Sequence, residues 1–569
     1  MKKQPIKFSE YPLVVPNAKR FVKKMEKLIN DFKACASASE AAKIINKVNG
    51  FFEEIETETS VIYVLYTCNT TNEKYKKAED VVDELSPLFS KYTTEFEKLV
   101  VNSSFRPELE KKFGTYLFQK YEASLKTFNE AIMEDLVIEN KLVSEYDMVF
   151  GSAELEFRGE KLNLTQLGKF MQDKDRETRK AAAKAMDNWL GENEAKIAKI
   201  YDDLVHVRVQ IAKKLGFKSF TDLAYLRLGR VDYNAEKVKV YREQIAREVV
   251  PVCQKLYKDQ MKRLGIKKPQ NYDYNLMFAS GNPLPAGGTE YLVKQAQKMY
   301  SDLGPESKEF FEFMVKYELM DLEARKGKAP GGYQTTFPAY QSPFIFSNFN
   351  GTSGDVNVLC HEGGHAFQAY LSRPIKVPEY RQPTLESCEI HSMSMEFFAW
   401  PYMNDFFGKD AEKYKYDHLA GSIEFLPYGA SIDEFQHWVY ANPNATHEER
   451  CKAFKEIEQR YTPHKKFDDC PTLNKGTTWM RQSHVFAVPF YYIDYTLAQV
   501  VAFQFAIENM KNHEKTWKKY IKLCKCGGKY PFQELLKKNH LRCPFEDGNI
   551  RKVIRPLTKV LKEFDTSKM

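Results

Sequence analysis

The chain has 569 residues, 43% hydrophobic and 28% charged, the balance of an ordinary soluble globular protein with material for a large core. Its 85 basic and 77 acidic residues are interleaved and leave a net charge of +8. That is too mild to call for nucleic acid or an anionic membrane as a partner.

In chain order, the opening MKKQPIKFSEYPLVVPN carries two lysines, but Lys7, Ser9 and Glu10 interrupt any apolar stretch, so no secretory signal is read there. Segments 18–31, 78–102, 107–129 and 164–190 place apolar residues three and four apart among Lys and Glu, the spacing of amphipathic helices. Asp173-Lys-Asp-Arg-Glu177 reads as a helix start before the alanine-rich run 181–185. Segment 271–289, rich in Gly, Pro and Asn, reads as a long irregular connection. From 326 to 354 charges thin out, and Tyr333, Thr335 and Phe337 alternate, predicting a strand or two. This is the one place where a small sheet is expected. Segment 485–507 is apolar and aromatic, but Asp494, Gln499 and Gln504 inside it and Pro489 at its start make it a buried core helix rather than a span. The ten cysteines lack a framework spacing and read as reduced thiols of a cytoplasmic protein.

The chemistry concentrates in VLCHEGGHAFQAYL, residues 358–371. Residues four apart on a helix share a face, so His361 and His365 can chelate one metal ion. Glu362 is displaced by about 100° around the helix and can reach a water in the ion's open position. Thr352 or Ser353 is the expected N-cap, and Pro374 the expected stop. The Gly363–Gly364 pair weakens helix propensity by roughly 1 kcal/mol each, which points to close approach of another backbone or a ligand. A third His six residues after His365 is absent, since Leu371 stands there, and a third ligand from a later helix is the alternative. In PTLESCEIHSMSMEFFAW, residues 383–400, Glu386, Glu389, Met393 and Glu396 fall on one stripe. Carboxylates there would be costly to bury unless paired with a metal and the outer nitrogens of its histidines.

Four stretches carry a family resemblance: HEGGH at 361–365, ESCEIHSMSMEFF at 386–398, SHVFAVPFYYIDYTLAQ at 483–499, and GKAPGGYQTTFPAYQSPFIFSNFNGT at 327–352. Through them nearly the whole chain resembles the oligoendopeptidase F branch of the thimet-oligopeptidase-like zinc metallopeptidase family. The resemblance implies a mainly α, elongated, two-lobed molecule with a deep central channel and a small β element before the HExxH helix. It implies an N-terminal helical region over 1–150 and a catalytic region over 151–569. It also implies one Zn2+ per chain, held by His361, His365 and Glu389. Glu389 follows the second His by 389 − 365 = 24 residues. Glu396 is implied behind the ligands, and Glu386 is close enough on the stripe to orient a histidine. His484 with Tyr491, Tyr492 and Tyr495 is implied to line the cleft opposite the metal, Tyr491 and Tyr495 being the favoured oxyanion donors.

Other clusters carry less. Cys524-x-Cys526 with His540-x-x-Cys543 is too tightly spaced for a usual structural zinc site. His391 is offset from Glu389 by about 200° and should face elsewhere. Cys360 reads as a small core residue.

The function expected is a zinc endopeptidase cleaving internal bonds of short unstructured peptides, with neither nucleic acid nor membrane as partner. The alternative within the same chemistry is a dipeptidyl- or carboxypeptidase. A peptide carrier without turnover is disfavoured by Glu362, which a pure binding site would not require. The stretch 331–340 is suited to pairing with an extended peptide backbone.

Overall fold

The helical periodicity becomes long helices in the computed structural model, which describes residues 3–569 and is 71% helix and 4% strand. Asn17, Ser37 and Asn72 cap Ala18–Lys33, Ala38–Cys68 and Glu73–Val101, each side chain accepting a backbone N–H of the first turn. The apolar stripes of these helices meet around Phe21, which is fully buried, with Phe51 and Phe89 at ring-centroid distances of 5.6 and 4.6 Å.

Two segments expected as single helices are each divided. Segment 107–129 becomes Arg106–Phe113 and Thr115–Thr127. Gly114 between them takes φ +92°, which favours glycine, and the Tyr380 hydroxyl sits 2.9 Å from where a Cβ would be. That same hydroxyl accepts the Leu117 N–H at 2.8 Å, satisfying a donor of the new helix start. Segment 164–190 becomes Leu164–Phe170 and the long Arg176–Lys214, whose N-cap Asp175 accepts from Thr178 N at 2.9 Å.

The chain divides into two compact units, each assembled from three stretches. The first comprises Met1–Lys126, Leu284–Gly408 and Glu508–Leu541; the second comprises Thr127–Pro283, Lys409–Ile507 and Arg542–Met569. The strands are β1 (Leu155–Phe157), β2 (Glu160–Leu162), β3 (Met320–Glu323), β4 (Tyr333–Phe337) and β5 (Ser342–Phe349). In the first unit β5 is the buried centre of a sheet of order β3-β5-β4, parallel to β3 and antiparallel to β4. The hairpin β1–β2, in the second unit, corrects the expectation of a sheet at one place only. Its turn puts Arg158 at φ 54° and Gly159 at φ 83°, a conformation normally announced by Asn-Gly, and its strands are three residues long. Both features hide it from pattern reading.

In the second unit, buried arginines are matched by carboxylates. Arg208 meets Glu139 at 2.6 Å, and Arg230 and Arg242 pair with Asp494 and Asp433. Segment 485–507 is broken after Ser483–Ala487 and resumes as Tyr492–Lys511, which is buried over most of its length. Among the described residues no helix is long and apolar enough to cross a membrane.

The motif helix Gly354–Ser372 lies against Leu385–Phe398, β5 and His513–Cys526, all in the first unit. Phe367 stacks on Trp517 with ring centroids 5.7 Å apart and planes at 10°. The paired glycines permit the closeness. A Cβ on Gly364 would fall 2.7 Å from both His391 O and Ser392 Cα, and one on Gly363 would fall 2.2 Å from Tyr300 Oη. The neighbour at Gly364 is backbone and cannot swing aside. Gly364→Ala is therefore expected to destabilise the protein by about 1–3 kcal/mol through overpacking, despite the gain of roughly 1 kcal/mol in helix propensity. Gly50, within Ala38–Cys68, has nothing within 4 Å of its Cβ position. Gly50→Ala should stabilise by about 0.5–1 kcal/mol. Denaturant unfolding of both variants checks the pair; equal and opposite shifts are not required, but opposite signs are.

Candidate metal centre

The motif helix begins differently from the expected Thr or Ser cap. Ser353 makes no side-chain cap bond. Instead Asp355 reaches back, its carboxylate accepting Asn350 N at 2.9 Å and Gly351 N at 2.7 Å. A carboxylate in the first turn also suits the positive end of the helix. The helix ends at Ser372, two residues before Pro374.

His361, His365 and Glu389 each offer one ligand atom, and these atoms all lie within 4.8 Å of one another. Among the described residues they form the one such group of three or more. Glu389 Oε2 is 3.1 Å from His361 Nε2 and 3.4 Å from His365 Nε2. Glu396 Oε1 is 2.8 Å from His361 Nδ1, the position of a carboxylate that orients a histidine and makes its outward nitrogen a better donor. Ser392, which the sequence did not single out, donates its hydroxyl to Glu389 Oε2 at 3.0 Å. Nothing in the sequence separates it from the helix's other serines, since only the helical turn brings it back to Glu389.

The electrostatics follow from these contacts. Burial alone would raise the Glu389 carboxyl, but the charge of His365 and the hydrogen bond from His361 outweigh it and hold it well below the usual carboxylate range. Burial alone would lower His361; its bonds to Glu389 and Glu396 outweigh that and hold it well above the usual histidine value. Glu362 is 9% exposed. Burial pushes its carboxyl up, partly offset by His365 and His361 and reinforced by Glu389 and Glu396. Two imidazole nitrogens and one carboxylate, with a second carboxylate behind one imidazole, are the donor set that suits zinc with an open position. The residues present therefore fit the ion.

The remaining residues of the motif helices have structural places. Glu386 is 1% exposed. His391 turns to the opposite side, its Nδ1 3.5 Å from Cys524 Sγ and its backbone carbonyl accepting the Tyr520 hydroxyl at 2.7 Å. Burial lowers its pKa to about 3, so it is a neutral core imidazole. Cys360 is buried and its thiol is pushed far up by desolvation.

In the second unit His484, Tyr491 and Tyr495 come together. The ring centroids of Tyr491 and Tyr495 are 4.9 Å apart, and the Tyr495 hydroxyl is 3.4 Å from His484 Nε2. Tyr492 stands with them, its ring centroid 5.1 Å from that of His484, and is also edge-on to Phe425 at 5.7 Å and to Tyr428 at 5.8 Å. Gln482 and Tyr428 are additions from the structure. The Tyr428 hydroxyl donates to Gln482 Oε1 at 3.0 Å, and Gln482 Nε2 lies 2.7 Å from His484 Nδ1. With that amide orientation Nδ1 accepts, so the imidazole proton sits on Nε2, the nitrogen on the Tyr495 side. Proximity of Gln482 to His484 in sequence was the only available signal.

A mainly helical fold carrying an HExxH helix packed against a glutamate-bearing helix defines a metallopeptidase of the helical class. Comparison with known families specifies which. The model described as Peptidase family M3 matches residues 169–281 and 297–553, and that described as Peptidase M3 N-terminal domain matches residues 8–128. The chain belongs to peptidase family M3. Among solved structures it is similar to PZ peptidase A, solved with an inhibitor, at 46% identity over 98% of this chain and 100% of that one, with a TM-score of 0.95. It is similar to a protein described as an oligoendopeptidase F at 44% identity, 99% and 100% coverage, and a TM-score of 0.95. A Bacillus anthracis str. Ames protein described as an oligoendopeptidase F shares 43% identity, with full coverage of both chains and a TM-score of 0.91. These neighbours agree with the oligoendopeptidase F branch. Among curated proteins none matches the chain.

Proposed function

We propose that the protein is a zinc endopeptidase that hydrolyses internal bonds of short, unstructured peptides. The observation that carries this reading is the convergence of His361, His365 and Glu389 within 4.8 Å, with the buried Glu362 one residue along the helix from His361. His361, His365 and Glu389 would hold one Zn2+, with Glu396 orienting His361. Zinc, when bound, supplies Lewis-acid activation of the attacking water and of the scissile carbonyl.

The chain's own residues do the rest. Glu362, raised toward neutrality by burial, accepts the water's proton during attack and returns it to the departing amine. His484 Nε2–H, with the hydroxyls of Tyr491 and Tyr495, donates to the developing oxyanion. The substrate would lie as an added strand on β4, an edge strand of its sheet. Gly332, just before β4, is packed close to the motif helix, where its Cβ position lies 3.7 Å from Val358 Cγ1. Main-chain pairing of this kind reads few side chains, so many sequences would serve. All ten cysteines are free thiols, which suits a reducing cytoplasm.

The test is a fluorogenic peptide library with and without chelator, followed by a graded peptide ladder. Internally quenched peptides of roughly five to twenty residues should be cut, and native globular proteins should not, because a folded chain offers no free extended segment for edge pairing. Release of terminal dipeptides or single residues alone would establish the exopeptidase alternative. Turnover undiminished by chelation would remove the metal from the reading.

A further inference from the structure

Residues Val250–Arg263 form a helix whose two sides differ in chemistry. Cys253, Gln260 and Met261 are buried, and Gln260 Nε2 donates to Tyr274 O at 3.0 Å and to Leu276 O at 2.9 Å. Val252, Lys255, Leu256, Asp259, Lys262 and Arg263 follow one another at steps of three, one, three, three and one, so they share the opposite side. That side mixes Val and Leu with cations, which suits neither a core face nor a plainly solvated one. Its neighbour is the helix Asn549–Glu563, which turns Thr558, Leu561 and Lys562 to the same space.

Between these helices lies a recess of about 900 Å³, wholly within the second unit. That is the size of a small-molecule site. Leu561 and Tyr416, the latter from the helix Ala411–Ala441, line the recess although both are buried, so they form its floor. Leu256 is half-buried and carries the apolar surface up one wall. Lys255, Lys262 and Lys562 are exposed and stand at the rim. Arg263 is held in place, its Nε donating to Met277 O at 2.9 Å and its guanidinium lying 5.1 and 5.3 Å from the ring centroids of Phe278 and Tyr416. Asp259 is the one acidic side chain among the described lining residues. Lysines on a convex face are simply solvated. Here four cations surround an apolar hollow, a surface complementary to a molecule that has both an anionic and an apolar part.

We propose that this recess binds a small amphipathic anion, with a carboxylate or phosphate head among Lys255, Lys262, Arg263 and Lys562 and an aliphatic or aromatic body against Leu256, Tyr416 and Leu561. Ammonium and guanidinium groups take either head through charge-assisted hydrogen bonds. The floor rewards the body by removing it from water. None of these residues belongs to the metal centre, whose three ligands lie in the first unit, so the site stands apart from the peptidase reading.

The experiment is calorimetric titration of the full chain with ligands held below their micelle concentrations. Decanoate and decyl phosphate carry both parts; decyltrimethylammonium carries the tail with the opposite charge, and acetate and inorganic phosphate are heads without a tail. Saturable binding of one decanoate or decyl phosphate per chain is expected, weakened by added salt. Binding of both, or of one alone, upholds the proposal and names the head. The three control ligands should bind at least about tenfold more weakly. The double variant Lys255→Glu/Lys262→Glu should weaken binding by about tenfold or more, and so should Leu256→Trp, which fills the hollow. Thermal unfolding of each variant checks that it is folded, and either one decides the matter if the other is not. Decyltrimethylammonium bound as tightly as decanoate would reduce the recess to an apolar patch, and heads bound as tightly as the full ligands would reduce it to surface charge. Either result overturns the proposal, as does the absence of saturation at millimolar ligand. A carboxylate taken up at the metal centre instead would bind both variants unchanged, and that outcome overturns it as well.

Discussion

Glu362→Gln is expected to retain one zinc per chain while losing about 10²–10⁴-fold in kcat, the usual contribution of a positioned general base. The substitution keeps the shape of the side chain and removes its capacity to accept a proton. Glu362 stands off the face shared by His361 and His365, and it is not among the three groups whose ligand atoms converge. His365→Ala and Glu389→Ala belong to the other class. Each removes a ligand, and Glu389→Ala also leaves His361 without the partner 3.1 Å away. Both variants should lose the metal together with the activity. Metal analysis by mass spectrometry beside a peptide assay separates the classes. Metal-free Glu362→Gln, or a fully active Glu389→Ala, would reverse the roles assigned here.

Tyr491→Phe or Tyr495→Phe, or both, should lower kcat by about 10²–10³ with little change in KM, because an oxyanion donor acts on the transition state rather than on bound substrate. His484→Ala should do likewise. Tyr492→Phe is the internal comparison: its ring also lies 5.1 Å from that of His484 but is edge-on to Phe425 and Tyr428 as well, and loss of its hydroxyl should matter less. The hydrogen-bond chain from Tyr428 through Gln482 adds a spectroscopic arm. Nitrogen chemical shifts of His484 should report the proton on Nε2, and Gln482→Glu, whose carboxylate only accepts, should transfer it to Nδ1. Wild-type kcat in Tyr491→Phe, Tyr495→Phe and His484→Ala together would reduce the run 484–495 to core packing.

Much of this molecule was determined by sequence-local physics. His361 and His365 share a face because the helix repeats every 3.6 residues, and that needs no tertiary partner. The mainly helical class, the buried character of 485–507 and the strands after Lys328 follow in the same way from period and composition. The glycine pair at 363–364 announced a close neighbour without saying which. The fold supplied Tyr300 and the backbone of His391–Ser392, from segments on either side of the motif in sequence. Breaks were less legible: the turn at Gly114 depends on Tyr380, which is 266 residues away. The pairing of Glu396 with His361 Nδ1 and of Ser392 with Glu389 depends on how two helices are rotated against each other, which no single stripe fixes. The buried arginines are the clearest case: Arg208, Arg230 and Arg242 meet Glu139, Asp494 and Asp433, carboxylates far from them in sequence. Local periodicity determines which face a side chain shares with its neighbours, but only tertiary packing decides which charges meet.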